Sequence, residues 1–200
     1  MNTKQTAATW GTMILASLAS GVPISDALAQ QPIANAPGAP VAGICTYSAQ
    51  VVLTTSTAGA AATQRLTQLS QSNASQLQPT GAQIDADNKA LVAQKASLPA
   101  ATFDQRVAAL QQRARDFNAL VQTRNAQLER TRDGAINRIS LATVPLLNAA
   151  IAAHRCSIVI DKGSTYSVNP AMDLTPEITQ KLNATLPSIT FELAAPPAAK

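Results

Sequence analysis

The sequence predicts a mainly α protein with a small β body, from which a long antiparallel coiled-coil helical hairpin projects. Three observations predict it. The chain is 46% apolar but only 3% aromatic and 13% charged, against about 25% charged residues in an ordinary domain. Alanine supplies much of the apolar count and buries little area per residue, which suits thin, close-packed helices better than a thick core. Apolar residues then recur at coiled-coil spacing over a long central region, and short β-prone runs stand at both of its ends. The same composition, with 8 Gly and 2 Cys, excludes collagen and disulfide-dense scaffolds. The lack of several long apolar spans excludes a polytopic membrane protein.

Residues 1–29 read as a secretory signal. Lys4 gives a positive start, Met13, Ile14, Leu15 and Leu18 an apolar stretch, and Ala27-Leu28-Ala29 a small-x-small cleavage pattern. Cleavage is expected after Ala29. A membrane anchor is the alternative, but Ser17, Ser20, Gly21 and Pro23 interrupt the apolar stretch, which falls short of the ~20 residues a span needs. Residues 30–42 contain three prolines and no charge and read as a flexible leader.

Ile44–Tyr47 is β-prone, and Ser48 can cap a brief turn through Val51–Leu53. From Ser56 or Thr57 the chain becomes helical. Leu77, Ile84, Leu91 and Leu98 repeat every seven residues, and Leu66 and Leu69 continue a stripe upstream out of step with that series. Pro79 and Gly81 predict a kink or break near residues 75–80, because proline removes a helical hydrogen bond. Ser97-Leu98-Pro99 is read as the stop of the first helix. The second helix starts by Thr102, with Thr102 as cap and Asp104 in the first turn. Its seam runs through Phe103, Val107, Leu110, Ala114, Phe117, Val121, Arg124 and Leu128 in steps of four and three. Ile136, Ile139, Val144, Leu147 and Ile151 carry the face on to His154. Helices of roughly 40 and 50 residues would extend about 60–75 Å. A compact four-helix bundle broken at Pro79 and near Gly134 is the alternative architecture.

The run at Cys156–Ile160 is expected to form a second strand and residues Thr165–Val168 a third. Thr175-Pro176-Glu177, with Thr175 as cap, Pro176 at the first position and Glu177 in the first turn, marks the start of a short last helix ending near Ala184. The two bases of a hairpin must be neighbours, so the strands at its feet are expected to share a sheet. Cys45 and Cys156 then lie at the two feet of one excursion, in a chain bound for an oxidising compartment. A disulfide is expected there, with two free thiols as the alternative. By segment, the chain divides into a signal (1–29), a leader (30–42), a discontinuous β body (43–56 and 141–186), the hairpin (57–140) and a flexible tail (187–200).

Residues 57–155 contain eleven Lys/Arg against six Asp/Glu. Arg106, Arg113, Arg115, Arg124, Arg130, Arg132 and Arg138 all lie on the second helix. A solvated face accounts for most such runs; the functional reading is a basic surface that captures acidic partners at long range. Nucleic acid is disfavoured by export and by the lack of aromatic stacking platforms. No catalytic constellation, metal-ligand spacing or Gly-rich phosphate loop is present in the sequence, so neither enzymatic activity nor a cofactor is expected. His154, the single histidine, ends a helix, where a cation favours the dipole.

Several stretches resemble one family. Gln50-Val51-Val52-Leu53 through Ala58-Gly59 is similar to a "Q-x-V-L…S-x-A-G" run that opens a first long helix. Val144-Pro145-Leu146-Leu147 resembles a proline in the last turns of a returning helix, and Ile158-Val159-Ile160-Asp161-Lys162 and Tyr166-Ser167-Val168-Asn169-Pro170 resemble a second and third strand. Asp173-Leu174-Thr175-Pro176-Glu177-Ile178 resembles a "D-[IL]-T-x-E-[IV]" helix start. In this order, over about residues 43–185, the chain resembles the Skp/OmpH family of periplasmic outer-membrane-protein chaperones. It departs from the family at Ser48, where an acid is usual, at Pro79, and in helices rich in Ala and Gln.

The resemblance implies a homotrimer: a small β-sheet or barrel trimerisation core, with three hairpins projecting as tentacles around a cavity. It implies a periplasmic, ATP-independent holdase that keeps unfolded outer-membrane β-barrel proteins from aggregating until membrane insertion. Arg106, Arg113, Arg115, Arg130, Arg132 and Phe103 are the candidate client-binding residues. The alternative function is a structural or adaptor protein of the cell envelope that docks another assembly through the hairpin tip around Leu98–Phe103. Lipopolysaccharide or an anionic membrane surface is a further candidate partner of the arginine-rich helix.

Overall fold

The structure is a computed structural model and describes residues 38–196. The signal, its cleavage site and most of the leader lie outside the described residues, as do residues 197–200. The elements run β1 (Ile44–Tyr47), α1 (Ala49–Thr55), α2 (Thr57–Ala93), α3 (Ala100–Ala153), β2 (Ile158–Asp161) and α4 (Thr175–Thr185), with 3-10 turns at Lys162–Ser164 and Pro170–Met172. The fold class read from the sequence holds: a long helix pair on a two-stranded sheet.

Two serines set the start of the hairpin. Ser48 caps α1 by accepting from Val51 N, and Ser56 caps α2 by accepting from Gly59 N. Between the two helices the chain turns so sharply that a Cβ on Gly59 would lie 1.7 Å from the Leu53 carbonyl oxygen. Glycine is required there for close approach, not for its backbone freedom.

Helices α2 and α3 are antiparallel, as their cross-contacts show. Gly81 receives the Phe117 ring, where a Cβ would come within 3.2 Å. Farther out, Asp87 pairs with Arg113 and Gln94 with Arg106. At 37 and 54 residues, they extend about 55 and 80 Å. The expected break near Pro79 does not occur, because Pro79 lies on the exposed face of an unbroken α2. Leu77, Gly81 and Ile84 keep the seam on the other side, so the lost hydrogen bond falls where water can replace it. The first helix ends at Ala93, earlier than the expected Leu98. Gln94 closes it, and residues 94–98 form a turn through Ser97 N to Gln94 O at 3.0 Å and Leu98 N to Gln94 O at 3.1 Å. Helix α3 starts at Ala100 behind Pro99 with no side-chain cap, so Thr102 does not cap it.

Its far end is closed by a Schellman motif. Cys156 N donates to Ile151 O (3.0 Å), Arg155 N donates to Ala152 O (3.2 Å), and Arg155 takes a left-handed φ of 54°. The turn delivers Cys156 to β1. Its sulfur is bonded to that of Cys45, with the Cα atoms 5.7 Å apart at a sequence separation of 111.

Strands β1 and β2 are parallel, with Ile44 opposite Ile158 and Tyr47 opposite Asp161. The hairpin is thus the crossover of a parallel strand pair. The third strand expected at residues 165–168 is absent; a single bridge joins Thr46 to Asp173, with Leu174 N donating to Thr46 O at 2.9 Å. Thr175 does not cap α4. Leu174 holds the cap position, and the Thr175 hydroxyl is buried and accepts from Ser48 N at 3.0 Å, tying α4 to the start of α1.

The core gathers at the foot of the hairpin. Val52, Ala58, Ala62, Ala135, Ile139 and Ala150 meet Leu174, Ile178 and Leu182 there. The segment after α4 is not a loose tail in its described part. Ile189 is buried in this core and Phe191 packs against it.

Candidate functional site

The long hairpin offers two basic regions, one near the tip and one nearer the foot. Near the tip, steps of seven place Arg106 and Arg113 on one face of α3, opposite Asp87 and Gln94 of α2. Arg113 Nη1 lies 2.5 Å from Asp87 Oδ2, and Gln83 Nε2 donates to the other carboxylate oxygen at 2.7 Å. Hydrogen bonds from Arg113 and Gln83 hold the Asp87 carboxyl below its usual range. Arg106 Nη1 donates to Gln94 Oε1 at 3.0 Å. Asp87, Gln94, Arg106 and Arg113, with Leu91 and Leu110, line an open groove of about 320 Å³. Phe103 is half-buried in the seam at the start of α3.

The other candidate arginines lie elsewhere. Arg115 is exposed and donates to Gln112 on its own helix at 2.6 and 3.2 Å, and Arg132 is also exposed. Arg130 donates to the Ala195 carbonyl. The structure therefore brings Arg106 and Arg113 together, and separates Arg115, Arg130 and Arg132 from them.

Sequence reasoning missed the second region. Arg65 of α2 and Gln127, Thr131 and Arg138 of α3 all bond to the segment after α4. Gln127 and Thr131 are polar yet each only 5% exposed, on a part of α3 where a buried side chain is apolar by default.

At the foot, β2 is exposed along its whole length, with Ile158 at 54% and Val159 and Ile160 at 36%. Tyr166 is 99% exposed beside it in sequence, and Leu141 and Val144 on α3 are exposed too. His154 closes α3 through its backbone, while its ring Nε2 lies 2.7 Å from Glu177 Oε2. Lys181, Nζ 2.6 Å from the other oxygen, and His154 together hold the Glu177 carboxyl below its ordinary range. Asp173 is 6% exposed in its side chain. Burial pushes its carboxyl up, but hydrogen bonds from Lys162 and Thr175 outweigh that and hold it low. Among the described residues no group of His, Cys, Asp and Glu is placed to hold a metal ion.

A long two-helix arm thus rises from a small strand pair bridged at its feet. The family model for outer membrane protein (OmpH-like) matches residues 43–182. The chain belongs to the OmpH-like family. Among solved structures, this OmpH-like chain is similar to a candidate outer membrane chaperone (OmpH-like) from Caulobacter crescentus CB15. The two superpose with a TM-score of 0.71 at 26% identity, over 82% of this chain and 95% of the other. No curated protein matches the chain.

Proposed function

We propose that this OmpH-like protein is a non-enzymatic periplasmic holdase that captures unfolded outer-membrane β-barrel proteins between the hairpins of a homotrimer. One observation carries the reading. The arm extends well beyond any core, while the foot carries an uncovered apolar strand at Ile158–Ile160. An exposed β edge with apolar side chains favours association with further copies of the chain. Closing such feet around an axis would leave the arms standing around a cavity. The arms supply arginines and half-buried apolar residues, which suit many weak contacts with an unfolded chain. Release follows from the client's larger gain on burying its apolar band in a bilayer.

The direct test is suppression of aggregation of a urea-denatured porin, with the oligomeric state measured by light scattering. A trimer that suppresses aggregation at stoichiometric amounts, less effectively at high salt, is the expected result. A monomer, or no suppression at low salt, overturns the proposal.

A further inference from the structure

Residues 187–196 run along the hairpin, and what they touch is unusual for a tail packed on its own protein. Arg138 Nη1 donates to Thr190 O at 2.9 Å and Arg65 Nε to Phe191 O at 3.1 Å. Gln127 Nε2 donates to Ala194 O at 2.6 Å, Ala194 N donates to Thr131 Oγ1 at 2.9 Å, and Arg130 donates to Ala195 O. All five bonds are to main-chain atoms of the segment. Its side chains add one polar contact, the Arg65 guanidinium on both carboxylate oxygens of Glu192 at 2.8 and 2.7 Å.

The order of partners, Arg138 first and then Thr131 and Gln127, shows the segment climbing α3 away from the foot. It does so extended, with the two-residue alternation of a strand. Ile189 is buried and Phe191 and Leu193 half-buried, while Thr190 and Glu192 between them are exposed. The groove thus reads backbone groups and an apolar side chain at every second position. Neither requirement is specific to this segment. The groove's own residues lie within the stretch matched by the family model, which ends at residue 182, before the segment begins.

We propose that the groove between α2 and α3, lined by Arg65, Gln127, Arg130, Thr131 and Arg138, is a binding site for an extended peptide with alternating apolar residues. Residues 188–195 occupy it in cis as a displaceable stand-in. The strands of an outer-membrane barrel alternate apolar and polar side chains with this period and, when unfolded, carry unpaired backbone groups. The assignment of such strands as the natural occupant rests on the holdase reading above. The tethered segment competes at an effective concentration of order millimolar, so an incoming chain must displace it.

The probe is a fluorescein-labelled peptide of sequence PSITFELAAP, copied from residues 187–196, with a same-composition peptide whose apolar residues are clustered as control. Binding is read by anisotropy on the full chain. The tail variant Phe191→Ser/Leu193→Ser frees the site and should bind the probe about tenfold more tightly than wild type, since competition lowers apparent affinity by the fraction of sites left open. A Thr131→Cys/Ala194→Cys chain joined by a short bis-maleimide, which leaves the native disulfide intact, should lose probe binding relative to the same chain before joining. Equal binding before and after joining, or equal binding of the clustered peptide, overturns the proposal. If the tail variant does not fold, the joined chain decides alone. Porin protection is measured separately. Protection without probe binding removes the groove and keeps the holdase; probe binding without protection keeps the groove and removes the holdase.

Discussion

The two halves of the hairpin are made of the same kind of helix and are held in different ways. Near the foot, the start of α2 and the end of α3 meet α1, α4 and the segment that follows α4, and most of the buried side chains lie there. In the outer half, beyond Asn73 on α2 and Gln127 on α3, Leu91 alone among the described residues is buried. The helices there cover only each other. Local opening costs least where few apolar contacts are buried, so the outer half is the compliant part of the arm and the foot its anchor. The proposed holdase would use both: a fixed base to assemble and a wall that adapts to clients of different size.

The largest blow to this contrast falls on the bridge at the foot. Replacing Cys45 and Cys156 together by serine opens a loop spanning 111 residues, and chain entropy sets the expected loss at about 4–5 kcal/mol. Urea unfolding would measure it. A loss below about 1 kcal/mol would mean that packing at the foot holds the strands together unaided.

Ile139→Ala at the foot, where Ile139 is 2% exposed, should cost about 3 kcal/mol through the lost side chain and the cavity left. Leu91→Ala in the outer half should cost about 1–2 kcal/mol, because a two-helix layer can collapse around the gap. Hydrogen exchange sharpens the comparison. Amides of residues 78–93 and 100–120 should exchange faster than those near Ala58 and Ile139. Uniform protection along the arm would remove the distinction.

Much of the foot was legible in the sequence, because its elements are set by local chemistry. Ser56 before Ala58-Gly59 marks the start of α2, and β-prone runs on either side of a long excursion have to pair. The heptad leucines and the 103–128 seam report burial on one helix face directly. What escaped was non-local. Pro79 could not be assigned to the outer face from spacing alone, and the run at 165–168 has strand-like residues but no partner beside it. The docking of residues 187–196 was hidden by two prolines and two alanines, and by bonds that involve their main chain, which composition does not record. The arginines of α3 could be counted but not sorted. Charge says that a face is basic, whereas the partners of Arg106, Arg113 and Arg130 depend on what lies opposite.

Acid should loosen the foot. The Asp173 carboxyl is held below its usual range by Lys162 and Thr175, so its contribution is complete above the unfolded value near 3.9. That contribution is lost as pH falls through the lower folded value. Asp173→Asn should therefore lower stability by about 1 kcal/mol at neutral pH and flatten the decline below about pH 4. An unchanged acid limb in urea titrations from pH 6 to pH 2 would show that Lys162 and Thr175 do not hold the carboxylate.

The smallest effect has the opposite sign. Arg155 sits at φ 54° in the turn that closes α3, a conformation that costs an ordinary residue about 1–2 kcal/mol and glycine almost nothing. The two bonds of the turn are made by backbone N–H groups, those of Arg155 and Cys156, and glycine keeps both. Arg155→Gly should therefore stabilise the foot by about 1 kcal/mol, reduced by the greater freedom glycine has when unfolded. The measurement is urea unfolding with the disulfide intact and again after reduction. If the turn acts by presenting Cys156 to Cys45, the gain should persist in the reduced protein, where Ser157 and Ile158 still donate to Gly43 O but no covalent bridge fixes the end of α3. A gain that vanished on reduction would show that the disulfide dictates the turn, and that the foot is organised from the bridge outward rather than from the helix end.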